Sequence, residues 1–354
     1  MPELPDSIEG VILGTAVGDA IGLPREGLSP RRAERLFGPA PLEHRLLFGH
    51  GMVSDDTEHT CMVAQSLLES GGDVERFARC FARRLRWWLL RVPAAIGFGT
   101  LRAILKLWLG FSPAHSGVRS AGNGPAMRAA ICGVFARESA ELRHALVTAS
   151  TRVTHTDPRA ERGALVIAEA AAYGSQVGGN AIDPQRCVQI LLPLAIDPDL
   201  ASRLRSAIEH AASGGSPQEF ARSMGFERGV SGFVNHTVPA AIFCWLRYSA
   251  DLRSAVEAAV LLGGDADTVG AITGALAGAT LGPAAIPESW ISGLLDWPWS
   301  VTRMRGLAKQ LGLALEQERP QPVGEVFWPA VLLRNACFAT IVIGHALRRL
   351  LPPY

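Results

Sequence analysis

The chain has 354 residues, 48% of them hydrophobic, with 34 Lys and Arg against 33 Asp and Glu for a net charge of +1. That length and apolar content support one large core or two modest ones. The near-zero balance gives no global field favouring nucleic acid or an acidic membrane. Six cysteines (Cys61, Cys80, Cys132, Cys187, Cys244, Cys337) are scattered without a CxxC pair. They read as reduced core residues of a cytoplasmic protein. The N-terminus has no basic segment followed by an apolar one, so no signal peptide is expected.

From the N-terminus, the apolar periodicity predicts a helix over 6–20. Its tail, with Gly14, Gly18 and Gly22, is a small-residue face. Asp19 alone reads as a helix-end hydrogen-bonding residue, and Glu26, on the loop beyond, as a solvated acid. Ser54-Asp55-Asp56-Thr57 then opens a helix over 57–70. Successive side chains on a helix point about 100° apart. Ser54, Asp55 and Asp56 can therefore face one ion only at a loop-to-helix junction, where the helix N-terminus also favours negative charge. An ordinary N-cap is the bland alternative, and the string alone is weak evidence.

The next predicted helix, 74–90, runs into RRLRWWLLR at 83–91. Cations mixed with tryptophans fit a membrane surface or nucleic acid. A solvated face with buried tryptophans fits better, because no other basic region reinforces the first reading. Gly122-Asn123-Gly124 enters a helix predicted over 125–137. Free N–H groups at such a loop can hold a phosphate, although most such loops are turns. His155, in Thr154-His155-Thr156-Asp157-Pro158, precedes a helix over 160–173 and alone reads as structural. Further helices are predicted over 239–248, 252–262 and 268–281, with loops at 178–184, 214–217 and 282–287.

Asp265-Ala266-Asp267-Thr268, preceded by Gly263-Gly264, opens the last of these helices. One cap needs one acid, so two acids are more than a cap. Gly270, Gly274, Gly278 and Gly282 form a stripe that lets another helix approach closely. If the fold joins both acidic clusters, four carboxylates and at least two hydroxyls converge. Such like charges need cations between them, and hard oxygen ligands suit Mg²⁺ or Mn²⁺. The expectation is a two-metal hydrolytic site.

After 314 comes an extended linker with Pro320 and Pro322, then a very apolar stretch over 327–351. Its uninterrupted apolar core, 336–344, falls short of the roughly 20 residues of a span, and Arg334-Asn335 would sit inside the bilayer. A packing or interface helix is expected, with no transmembrane span. The expected architecture is all-α: one multi-helix domain over 1–314, and a linker plus apolar helical extension over 315–354 packed on it.

GDAIGLPRE, SDDTEHT, GNGPAMR, THTDPRA, GFVNHTVPAA and GGDADTVGAITGALAGATLG, in this order, resemble the ADP-ribosylglycohydrolases over roughly residues 8–295. IPESW at 286–290 fits the same family. The resemblance implies an all-α fold with a binuclear Mg²⁺ or Mn²⁺ centre. It implies metal ligands Ser54, Asp55 and Asp56 in the first motif and Asp265, Asp267 and Thr268 in the second. It makes Glu26 a catalytic acid on a mobile loop, with Asp55, Asp56 and Asp267 completing the catalytic set. It assigns ADP-ribose to Ser120, Gly122, Asn123, Gly124 and Met127, and places His155 near the diphosphate. Two departures stand out. Pro125 removes an N–H donor after GNG, and Ala121 stands where some members place an aromatic. The implied activity is cleavage of the C1″ glycosidic bond of ADP-ribosylated arginine or serine in protein, releasing ADP-ribose. The alternatives are a hydrolase of small derivatives such as O-acetyl-ADP-ribose, or a non-catalytic ADP-ribose-binding protein. ADP-ribose or an ADP-ribosylated protein is the expected partner, and nucleic acid is not.

Overall fold

Two helices rich in small residues set the frame of the computed structural model: α1 (Leu4–Gly22), then, far along the chain, the helix Ala266–Leu281. They lie antiparallel, with Gly10 against Gly278, Gly14 against Gly274, Gly18 against Gly270 and Gly22 against Ala266. A Cβ on any of these four α1 glycines would collide with the carbonyl opposite. The stripe read from the sequence is thus one half of a two-sided seam. Gly282 is not part of it; with φ +76 it stands just past the last turn and ends the helix.

This antiparallel register places the end of α1 beside the start of Ala266–Leu281. A third element, α2 (Asp55–Ser70), begins at the same point because Asp19 near the end of α1 caps it. Asp19 Oδ2 accepts from Ser54 N at 2.8 Å, Thr57 N at 3.3 Å and Thr57 Oγ1 at 2.6 Å. Asp19 is therefore the helix-end hydrogen-bonding residue expected of it. With its place in the chain fixed, Ala266–Leu281 is α3, and Trp328–Arg348 near the C-terminus is α4.

The structure describes residues 2–94, 96–178, 182–324 and 326–352. Among these it is all-α, with 18 α-helices and isolated β-bridges but no strand. The middle of the predicted 178–184 loop (179–181) and Glu325 of the predicted linker lie outside the described residues. The predicted helix over 125–137 is broken into Gly124–Met127 and Ala130–Phe135. At the break the Arg128 guanidinium, instead of a backbone N–H, donates to Gly124 O at 2.9 Å. Val234–Arg247 starts earlier than the predicted 239 and carries Pro239 inside it.

Two packing expectations need correction. Trp88 is buried and donates to Glu58 Oε2 at 2.5 Å, but Trp87 is 55% exposed. Five cysteines are buried and Cys337 is exposed, all of them free. The extension forms the expected apolar helix, but one reason against a span does not hold. Helix α4 has 21 residues and is long and apolar enough, by length and composition, to cross a membrane. The short run at 336–344 is therefore no reason against a span. In the structure its polar pair is buried against protein: Arg334 meets Asp296 at 2.6 Å and Glu58 at 3.4 Å, and Asn335 Nδ2 donates to Arg91 O at 2.6 Å.

Candidate functional site

Where α1, α2 and α3 meet, a cleft of about 930 Å³ opens. Glu26, Asp55, Asp56, Asp265, Asp267 and Thr268 line it, together with Ser120, Gly122, Asn123, Gly124, Met127 and His155. Two acidic motifs far apart in the sequence thus share one cavity with the glycine loop and the histidine. Ser54 is the exception among the expected site residues. It is buried and does not line the cleft; its Oγ accepts from Asp56 N at 3.4 Å as the N-cap of α2.

The motifs are joined directly. Thr268 Oγ1 donates to Asp56 Oδ2 at 3.2 Å. Asp265 precedes the first turn of α3, and its N–H donates to Val230 O at 2.8 Å. Gly263 and Gly264 have φ of +69 and +74, and Gly264 is wedged between two other segments. It donates to Leu28 O at 2.8 Å, and its own carbonyl accepts from Gly27 N at 2.6 Å. The tight, positive-φ backbone of this Gly-Gly pair therefore docks the Glu26 loop onto the second acidic motif. A side chain on Gly264 would strike Val230.

The glycine loop is tied in as well. Asn123 Nδ2 donates to Asp265 Oδ2 at 2.5 Å and to Thr237 Oγ1 at 3.0 Å. Several donors imagined for a phosphate are already used. Asn123 N donates to Gly232 O, Gly122 N to Ser120 Oγ, and Pro125 has none. Beneath the loop lies Arg128, fully buried. It donates to Gly124 O, to the Ser150 side chain and carbonyl, and to Thr154 Oγ1 at 2.7 Å. Burial pushes its pKa down to about 9. Thr154 Oγ1 in turn meets His155 Nδ1 at 2.8 Å. Burial, then the Arg128 charge, depresses the His155 imidazole to about 3, so it is neutral at physiological pH. One buried cation thus braces both loops of the cleft wall.

The acids are electrostatically crowded. Burial is the main cause raising Asp55, Asp56 and Asp267 well above the usual carboxylate range, and neighbouring carboxylates add to it. Asp265 and Glu26 are raised by burial too, and Asp19 is pushed up to about 6. The buried oxygens Asp56 Oδ1 and Asp19 Oδ1 have no hydrogen-bond partner. An all-oxygen donor set with an orphaned buried carboxylate oxygen fits hard divalent cations. Among the described residues, no three acidic, histidine or cysteine side chains already surround one point as a closed shell. Mg²⁺ commonly keeps several waters and takes only one or two carboxylates.

Some of this machinery is invisible to motif reading. Arg128 and Thr237 lie inside the GNGPAMR and GFVNHTVPAA strings but have no role read for them, and Asp296, which also holds the site, belongs to no motif. Phe98, Arg102 and Arg119 also line the cleft, from segments without a motif.

A family model described as ADP-ribosylglycohydrolase matches residues 1–321. An uncharacterised protein of Archaeoglobus fulgidus is 34% identical over 301 residues, covering 83% of this chain and 93% of its own. The ADP-ribosyl-[dinitrogen reductase] glycohydrolase of Rhodospirillum rubrum is 27% identical over 302 residues, covering 83% and 92%. A solved structure titled ADP-ribosylglycohydrolase-related protein complex superposes with a TM-score of 0.65 at 29% identity, covering 88% of this chain and 99% of that one.

Proposed function

We infer the reaction from membership: the chain belongs to the ADP-ribosylglycohydrolase family. It is on that ground a glycohydrolase for ADP-ribosylated substrates. The finer reading is hydrolysis of the C1″ bond of ADP-ribosyl-arginine or ADP-ribosyl-serine in protein. Water supplies OH to C1″ and a proton to the leaving nitrogen or oxygen. The observation that supports this best is the meeting of Glu26, Asp55, Asp56, Asp265 and Asp267 around one cleft whose wall is the 120–127 loop and His155.

Asp55, Asp56, Asp265 and Asp267, with the Thr268 hydroxyl, would hold two Mg²⁺ or Mn²⁺. When bound, the ions would orient ribose hydroxyls and acidify a water. Glu26, from a loop outside both motifs, takes the proton of the water that attacks C1″. Its raised pKa brings it closer to the working pH of a general base. The C1″ bond then breaks through an oxocarbenium-like state. The wall loop orients the diphosphate, with buried Arg128 beneath it. The partners of Arg128 are neutral hydroxyls, carbonyls and the His59 ring, so its charge favours an anion above. Neutral His155 can donate or accept at the diphosphate edge without a desolvation penalty for charge.

The test is to incubate the protein with arginine-, serine- and acetyl-linked ADP-ribose, with Mg²⁺, Mn²⁺ or chelator, and to measure freed ADP-ribose. Metal-dependent release from one protein-type linkage is expected. Tight ADP-ribose binding without release from any of the three would make the protein a binder instead.

A further inference from the structure

The family match ends at residue 321, yet the chain continues into α4, and α4 returns to the cleft. Near its start, Arg334 donates to Val53 O at 2.6 Å and to Asp296. Val53 directly precedes the first acidic motif. Further along, His345 Nε2 meets Leu46 O at 2.7 Å. At the end, Arg349 Nη1 donates to Glu26 O at 2.7 Å and Nη2 to Pro24 O at 3.0 Å. The Arg32 guanidinium grips the Arg349 carbonyl. From Arg334 to Arg349 a helix spans about 22 Å. Helix α4 is therefore a rigid strut between the entrance to α2 and the Glu26 loop.

We propose that Arg349 is a positioning residue for Glu26, supplied by a C-terminal strut outside the family core. This rests on the reading of Glu26 as the group that moves the proton. The Glu26 loop is pinned on one side by Gly27 N and Leu28 O to Gly264. On the other side, the carbonyls of Pro24 and Glu26 take the two arms of one guanidinium. Gly27, with φ +72 and an exposed position, is the turn residue between these anchors. With both in place the Glu26 backbone cannot swing, and its carboxylate stays at the cleft beside Asp265 and Asp267. The planar fork of arginine matches two carbonyls at once, which the point charge of lysine cannot do.

The experiment compares R349A, R349K and R348A in the full chain. Arg348 is the control, because among the described residues its guanidinium donates to Leu351 O and Pro352 O at the exposed helix end. Backbone amide exchange over residues 23–28 is measured with kcat and KM for ADP-ribose release. In R349A, exchange there should accelerate about tenfold. Turnover should fall about tenfold while KM moves less than about threefold, because misplacement of a reacting group falls mainly on kcat. R349K should recover part of both, and R348A should match the parent. Unchanged exchange in R349A, normal kcat despite faster exchange, or an equal effect in R348A would each overturn the proposal. A parent protein that releases no ADP-ribose from any linkage sinks the functional reading instead. The exchange data would still decide whether Arg349 holds the loop.

Discussion

Replacing Arg334 by Met removes a buried cation that serves two carboxylates. Asp296 sits 2.6 Å away and Glu58 3.4 Å, with side-chain exposures of 1% and 6%. Asp296 Oδ2 also accepts from Val53 N at 2.9 Å, so the network holds the residue that leads into Ser54. Removing one partner of a buried ion pair typically costs about 3–5 kcal/mol, because the other charge is left uncompensated. Unfolding entropy of roughly 2.1 cal/mol/K per residue over 354 residues gives about 0.7 kcal/mol/K. A loss near 4 kcal/mol therefore lowers Tm by about 5 °C. The sign with pH follows from the partners. Burial already raises both carboxyls, and Arg334 opposes that rise. Without it both folded-state pKa values climb further above their unfolded values. A group raised in this way stabilises the fold at low pH, and that stability is lost as pH rises through the folded pKa. The deficit of Arg334→Met should thus be large at pH 7.5 and smaller at pH 5. Thermal and urea unfolding at the two pH values measure it. A deficit below about 1 kcal/mol, or one equal at both pH values, refutes the ion-pair account. Adding Asp296→Asn to the variant should recover stability at pH 7.5, since one of the stranded charges is then gone.

Glu26→Gln keeps size and hydrogen-bonding reach, and should lower turnover by about 10²- to 10⁴-fold while metal content and ADP-ribose affinity change little. Near-normal turnover would leave Glu26 a solvated loop acid, and joint loss of metal and turnover would make it a ligand. In chelator-treated protein, the raised acids of the cleft predict falling stability as pH rises from 5 to 7.5, a window that contains Asp19 at about 6. Mg²⁺ at about 100 times its Kd should restore roughly 2.7 kcal/mol at pH 7.5. A melting temperature flat with pH and indifferent to Mg²⁺ would argue against a cation site there.

What could be read from the sequence follows from how local each cause is. Val74–Leu90 was legible to the residue, because an Asp cap and a continuous amphipathic run mark it. The acidic motifs stood out in the sequence, since two acids at a helix start exceed what a cap requires. Their meeting was legible only in half. The glycine stripe announced a close partner, but that the partner was α1, and antiparallel, depends on a three-dimensional register. Helices such as Phe98–Trp108, Ala140–Arg152 and Val301–Glu316 lie outside the predicted elements and carry no motif that marks them. The broken helix at Arg128 was misread for a different reason. Periodicity continues through the break, where the Arg128 guanidinium takes Gly124 O and the Arg128 N–H turns to Ala126 O. Ser54 shows the limit of motif transfer: it has the ligand position, yet the structure gives its hydroxyl the work of a cap.

The charge balance of the cleft leads from these placements to its chemistry. Asp55 and Asp56 lie in the first turn of α2 and Asp267 in the first turn of α3, where helix dipoles favour negative charge. Each such end contributes about 0.3–1 kcal/mol, and about 2 kcal/mol in favourable partly buried geometry. Burying a carboxylate costs several kcal/mol after relaxation. The helix ends therefore offset only part of the penalty. Side-chain donors supply a little more, through Asn123 to Asp265 and Thr268 to Asp56. Among the described residues that line the cleft, the cations are Arg102 and Arg119, on segments away from the acidic motifs. Arg349 holds the Glu26 and Pro24 carbonyls, and its charge also favours ionised Glu26 and Asp267, which offsets part of the crowding. Two states remain open to these acids: protonated, as their raised pKa values indicate, or ionised around cations from solution. A cluster balanced between the two is one in which metal uptake must release protons, so the apparent Mg²⁺ affinity should strengthen as pH rises from 6 to 8. Calorimetry in two buffers of different ionisation enthalpy counts those protons. Binding without proton release at pH 6.5 would show that the carboxylates are already ionised in the free protein, balanced by positive charge within it.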